Sequence, residues 1–138
     1  MSTRGFFELE HPADLALHVW GQDLSSLFRN AARGLSYLLR CTAAEKLPVP
    51  SPMPVSLSAA DLETLMVDWL GEVLYLTERH GRCWSVRSIA VTEAPQLHAT
   101  LSCRSRCQPQ RTIKAVTYGG LRIVETCDGY ETNIVLDV

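Results

Sequence analysis

Nowhere in the 138 residues do about 18 apolar side chains follow one another without a break, the length a membrane-spanning helix needs, so a soluble protein with no membrane contact is expected. A dense Lys/Arg block is also missing. The 13 basic and 15 acidic residues leave a formal net charge of −2. Without a basic patch to release counterions from a polyanion, strong direct nucleic-acid binding is not expected. The sequence also lacks zinc-knuckle spacing: Cys103 and Cys107 stand three residues apart instead of two, and no second close pair accompanies them. The five cysteines are odd in number, and the opening MSTRGFFELEH has no long apolar run before a small-residue cleavage site, which together fit a reducing cytoplasm. His11, His18, His80 and His98 form neither an HExxH nor an HxH ligand set. P-loop, GxGxxG and GxSxG elements are absent, and no internal repeat of solenoid or propeller length is visible.

What remains is an ordinary globular composition, 46% hydrophobic and 20% charged, of a length expected to form one domain over residues 1–138. Partial alternation from Phe6 to Trp20, interrupted by Pro12, predicts a strand, a kink at His11 to Asp14 and a second strand. Asp23 is placed to cap a helix in which Leu24, Leu27, Phe28, Ala31, Leu35, Leu38 and Leu39 recur at helical spacing. Leu47 to Pro54 contains four prolines, which remove backbone donors, and is read as a loop that cannot be a central strand. Ser58 and Asp61 then suggest a capping box of the acidic kind, followed by a second helix with a stripe of Leu62, Leu65, Met66, Trp69, Val73 and Leu76 and an end near Gly81. From Trp84 onward the period falls to two, and turn residues divide this half into about five strands, with Gly119-Gly120 read as a hairpin turn. Two one-sided helices and a largely antiparallel sheet predict an α+β fold with both helices on one sheet face.

Three places could carry chemistry. At the first strand break, Glu10, His11 and Asp14 gather beside Pro12, which restricts its predecessor. Such a segment serves either as a turn in which Asp14 accepts from backbone amides, or as a metal or proton site. At the other end, a strand from Tyr130 to Leu136 runs into Asp137 and the α-carboxylate of Val138, hard oxygen donors that suit Ca²⁺, Mg²⁺ or Mn²⁺ if they are not simply solvated. Between them, Lys114 lies on a strand-like run and shares a face with Val116 and Tyr118, placed either towards solvent or towards a phosphate or partner carboxylate. On the second helix, Asp61, Asp68 and Glu72 form an acidic row along the apolar stripe.

Taken together, FELEHPADLAL, DLETLMVDWLGEVLYL, IKAVTYGGLRI and the closing NIVLDV resemble the archease family, in the right order and over nearly the whole chain. The resemblance implies a non-catalytic protein cofactor that docks transiently on an RtcB-type RNA-splicing ligase, promotes guanylylation of the ligase and supports multiple turnover in tRNA splicing or RNA repair. It further implies a metal held by Asp14 and Asp137 with the Val138 carboxylate as third ligand, calcium first and Mg²⁺ or Mn²⁺ as alternatives. Lys114 would stand beside that site, and His11 would support it from behind. Two positions depart from the family pattern: Gly119 follows Tyr118 where the family commonly has histidine, and Gly71 replaces a larger polar residue. A small metal-dependent hydrolase using Asp14 and Asp137, and a chaperone-like modulator of RNA-modifying enzymes, are the competing readings.

Overall fold

The computed structural model describes residues 4–10, 14–40 and 42–138, with the side chains of 42–51, 104 and 107 left out of account. Eight strands and two helices follow one another as β1 (Phe6–Leu9), β2 (Leu15–Gly21), α1 (Leu24–Leu39), β3 (Thr42–Ser58), α2 (Leu62–His80), β4 (Arg82–Thr92), β5 (Gln96–Gln108), β6 (Ala115–Val116), β7 (Val124–Thr126) and β8 (Gly129–Asp137). The α+β class agrees with the sequence reading, and the strands divide into two antiparallel sheets. The larger has the order β1-β2-β8-β6, with β7 also on β8, and the smaller has the order β3-β5-β4.

Strand β8 organises the larger sheet. Its β2 side is paired continuously from Leu15 opposite Leu136 to Gly21 opposite Tyr130. Along its other edge lie β6, at Leu136 and Asp137, and β7, at Gly129 to Glu131. The Gly119-Gly120 turn, closed by the Leu121 N–H donating to the Tyr118 carbonyl at 3.0 Å, therefore joins two pieces laid end to end along one edge, not two strands paired in a hairpin. Gly129 opens β8 at φ 142°, and a Cβ there would collide with the Gly21 carbonyl, so the close approach of β8 to the end of β2 requires glycine.

The proline-rich segment is a strand, not a loop. Prolines two residues apart project their nitrogens to the same side of a strand, and β3 lies at the edge of its sheet, where that side needs no ladder partner. Pro52 pairs opposite Ser102 and Pro54 opposite Thr100, while the register breaks between Lys46 and Ser51. Met53 and Leu57 are half-buried and Val55 is buried, so the alternate residues face the core.

Both helices form where their apolar stripes fall. Every residue of the α1 stripe is buried, and Gly34 lets that helix sit so close to the sheet that an added Cβ would meet Leu17 at 2.9 Å. Asp23 caps α1 by accepting from the Ser26 amide at 2.7 Å. The α2 cap is Asp61, which accepts from the Thr64 amide at 2.7 Å, whereas Ser58 ends β3, so the capping residue lies three positions later than the acidic capping box implied. Gly81 closes α2 in the left-handed conformation, with its N–H donating to the Thr77 carbonyl. Trp69, fully buried, donates its indole N–H to the Phe28 carbonyl of α1 at 2.9 Å and locks the helices together at the centre of the core. No helix among the described residues is long and apolar enough to cross a membrane.

Removing the Trp69 ring should therefore be among the costliest single changes: Trp69→Ala is expected to lose about 3–5 kcal/mol, read from the midpoint of urea unfolding. A second expectation concerns acid. The Thr64 backbone N–H holds the Asp61 carboxyl below the usual carboxylate range. A depressed folded-state pKa means that this cap stabilises above the unfolded value and is lost as pH falls through the folded one. Asp61→Asn, which still caps but does not titrate there, should flatten the acid side of the stability profile, measured by denaturant unfolding between neutral pH and pH about 3.

Candidate functional site

The β2–β8 register decides what stands at the lower end of the larger sheet. Pairing ends at Leu15 opposite Leu136, so the next residues on the two strands are Asp14 and Asp137. On the far side of β8, Ala115 faces Asp137, and Lys114 precedes Ala115 at the same strand end. The backbone thus assembles Asp14, Asp137, Val138 and Lys114 from three adjacent strands, although they come from opposite ends of the chain. His11, expected behind this group, lies outside the described residues.

Alternation along β8 explains the side chains. Thr132, Ile134 and Leu136 are buried in the core face, so Asp137 projects outward and is exposed, as is Val138, while Asp14 is half-buried. The Asp137 carbonyl accepts from the Lys114 N–H at 2.8 Å, which ties β6 to β8 through backbone and leaves the carboxylate available. Among the described residues no set of three His, Cys, Asp or Glu side chains converges. A cation here would draw on two aspartates and the terminal carboxylate, an oxygen-only donor set of the kind hard divalent ions take.

Lys114 also reaches a second feature, a groove of about 620 Å³ between α2 and β6, whose other polar walls are Asp68, Glu72, Tyr75 and Glu78. No carboxylate among the described residues pairs with the lysine directly. The acidic row thus continues beyond the sequence reading at its C-terminal end and stops short at the other, because Asp61 is occupied as a cap. Glu78, which the sequence reading does not include, joins the same face by two steps of three residues from Glu72 through Tyr75. Glu63, in the first turn of α2, accepts from the Ile123 N–H at 2.9 Å and anchors the chain between β6 and β7 to the helix. Cys103, one of the pair considered for zinc, is completely buried in the core, with its thiol donating to the Ser105 carbonyl at 3.2 Å.

Two capped helices on two antiparallel sheets, with carboxylates from both chain ends meeting at one strand end, define an α+β protein with a candidate oxygen-donor site. The profile of the Archease protein family (MTH1598/TM1083) matches residues 6–138, and the chain belongs to that family. It is 34% identical to the protein archease of Methanosarcina acetivorans, over 94% of this chain and 93% of that one. With the Methanosarcina barkeri protein it shares 33% identity over the full length of both. An archease-like protein of Drosophila melanogaster is 25% identical over 94% of this chain and 88% of its own length. The fold is similar to the solution structure of protein 1598 of Methanobacterium thermoautotrophicum, with a TM-score of 0.70 and 22% identity, covering 99% of this chain and 100% of that one. It is also similar to the crystal structure of an archease from Thermotoga maritima, described as a possible chaperone, with a TM-score of 0.65 and 22% identity over 94% of each chain.

Gly71 lines the acidic groove from inside α2, and a Cβ added there would meet nothing within 4 Å. Gly71→Ala should stabilise the protein by about 1 kcal/mol through helix propensity alone, measured as a higher urea midpoint with an unchanged slope.

Proposed function

We propose that the chain is a metal-binding protein cofactor that activates an RtcB-type RNA ligase by promoting its guanylylation and multiple turnover, with no ligation chemistry of its own. The observation that carries the reading is the register that brings Asp14 next to Asp137 and Val138, with Lys114 on the adjoining strand. Family membership supports the ligase as partner, through the resemblance set out above.

The donors are all hard oxygens, so a divalent cation, calcium before Mg²⁺ or Mn²⁺, is the ion that fits. Asp14, Asp137 and the Val138 carboxylate would hold it, and its two positive charges would offset two of the three negative charges that otherwise repel one another. Lys114, which lines the neighbouring groove, would offset part of that charge and would meet a partner carboxylate or phosphate. The exposure of Asp137 and Val138 leaves them open to a large partner. His11, three residues before Asp14, would orient its carboxylate.

The test uses purified ligase with GTP and Mn²⁺. Stoichiometric amounts of the chain should raise both the fraction of guanylylated ligase and the number of turnovers, and no increase in either would end the proposal. Asp137→Ala should abolish calcium binding and stimulation while leaving the unfolding curve nearly unchanged, because the β6 contact is made by the residue's carbonyl. Stimulation that survives this substitution would remove the site assignment. Hydrolysis of phosphate esters by the chain alone would replace the reading with a metal-dependent hydrolase, and capture of many unrelated RNA-modifying enzymes would replace it with a chaperone-like role.

A further inference from the structure

A second concavity lies away from the carboxylates. It encloses about 670 Å³ between the start of β1, α1, α2 and β4, and shares no lining residue with the groove at Lys114. Its floor is apolar and deep, formed by Ala32, Val73 and Leu101, all buried. Its rim is cationic. Among the described residues Arg4, Arg29 and Arg33 line it and no Asp or Glu does, although the chain as a whole carries a net charge of −2.

Arg29 and Arg33 stand one turn apart on α1, where like charges repel. Among the described residues neither has an ion pair or a hydrogen bond, and Arg29 is half-buried. Two guanidiniums without internal partners, one turn apart on the rim of an apolar pocket, supply planar donor sets of the kind that match a phosphate. Aromatic surface adjoins them. Tyr37 and Trp84 line the cavity, and the Arg4 guanidinium is stacked 4.8 Å from the Tyr37 ring centre and 4.6 Å from that of Phe6, which builds one flat wall. The polar lining otherwise consists of small groups, the hydroxyls of Ser36, Thr77 and Ser85. The Trp84 indole N–H is buried with no acceptor among the described residues. The Thr77 and Ser85 hydroxyls donate to the Val73 and Ser102 carbonyls, at 2.9 and 3.2 Å, and so turn their acceptor lone pairs to an incoming donor. The Trp84 N–H calls for an acceptor that a heterocycle has and a hydrocarbon chain lacks. The volume lies in the range of small-molecule sites, about 300–1,000 Å³.

From this combination we infer that the cavity is a binding site for a nucleoside phosphate, with the phosphate on Arg29 and Arg33 and the base between the aromatic wall and the floor. The site is separate from the carboxylate cluster and does not depend on it.

AMP and GMP, titrated into the full chain by calorimetry and by tryptophan fluorescence, test the inference, with adenosine and inorganic phosphate as separate arms. At least one nucleotide should bind saturably at one site per chain, and the nucleoside and the phosphate should each bind at least about tenfold more weakly, since each lacks half of the contacts. Arg29→Ala and Arg33→Ala should each weaken nucleotide binding about tenfold or more, and Arg33→Lys should recover part of the loss. Arg33 is exposed, so its truncation leaves the core untouched, which circular dichroism verifies. Asp137→Ala should leave the affinity unchanged. The inference is overturned if neither nucleotide saturates, if inorganic phosphate binds as tightly as the nucleotide, if the Arg29→Ala/Arg33→Ala double variant binds normally, or if Asp137→Ala abolishes binding.

Discussion

Everything at the candidate metal site depends on one antiparallel ladder. β2 and β8 are paired without a break from Leu15 and Leu136 to Gly21 and Tyr130, and both strands bury their alternate residues against α1. A slip of one residue would turn Leu17, Val19, Ile134 and Leu136 out of the core, so the apolar pattern fixes the register tightly. That same register sets Asp14 beside Asp137. The adjacency of two like charges is therefore inherited from the packing of the opposite face, and the sheet can bear it because both side chains point away from the apolar interior.

The two helices divide the remaining charge between them. α1 turns Arg29 and Arg33 towards the larger cavity, while α2 turns Asp68, Glu72 and Glu78 towards the groove at Lys114. Trp69 holds the helices in contact through their buried stripes. One rigid core thus presents a cationic concavity and an acidic one.

Local features were legible in the sequence, and non-local ones were not. The α1 stripe, the Asp23 cap, the Gly81 terminator and the strand-rich second half follow from spacing over a few residues, and the structure shows all four. Capping by Asp61 instead of at Ser58 turned on where the preceding strand stops, which composition does not set. The prolines of β3 misled because an edge strand tolerates them, and whether a strand is an edge is decided by the whole sheet. The closeness of Asp14 to Asp137 arises from pairing across more than a hundred positions, so no motif spacing reports it, and only the family resemblance linked the two. Arg29 and Arg33 fall between the apolar positions of α1, and nothing in that helix alone announces that α2 and β4 will close a pocket beside them.

The alternating prolines of β3 also govern how this molecule can meet others. A strand edge with free N–H and C=O groups is an invitation to any extended segment, including one from a second copy. Pro52 and Pro54 are exposed and supply no N–H to that edge, so it offers an incoming strand acceptors with few donors. Contacts along this flank are left to side chains, whose selectivity comes from shape and charge. The flank thereby resists indiscriminate cross-β association without needing to be polar throughout.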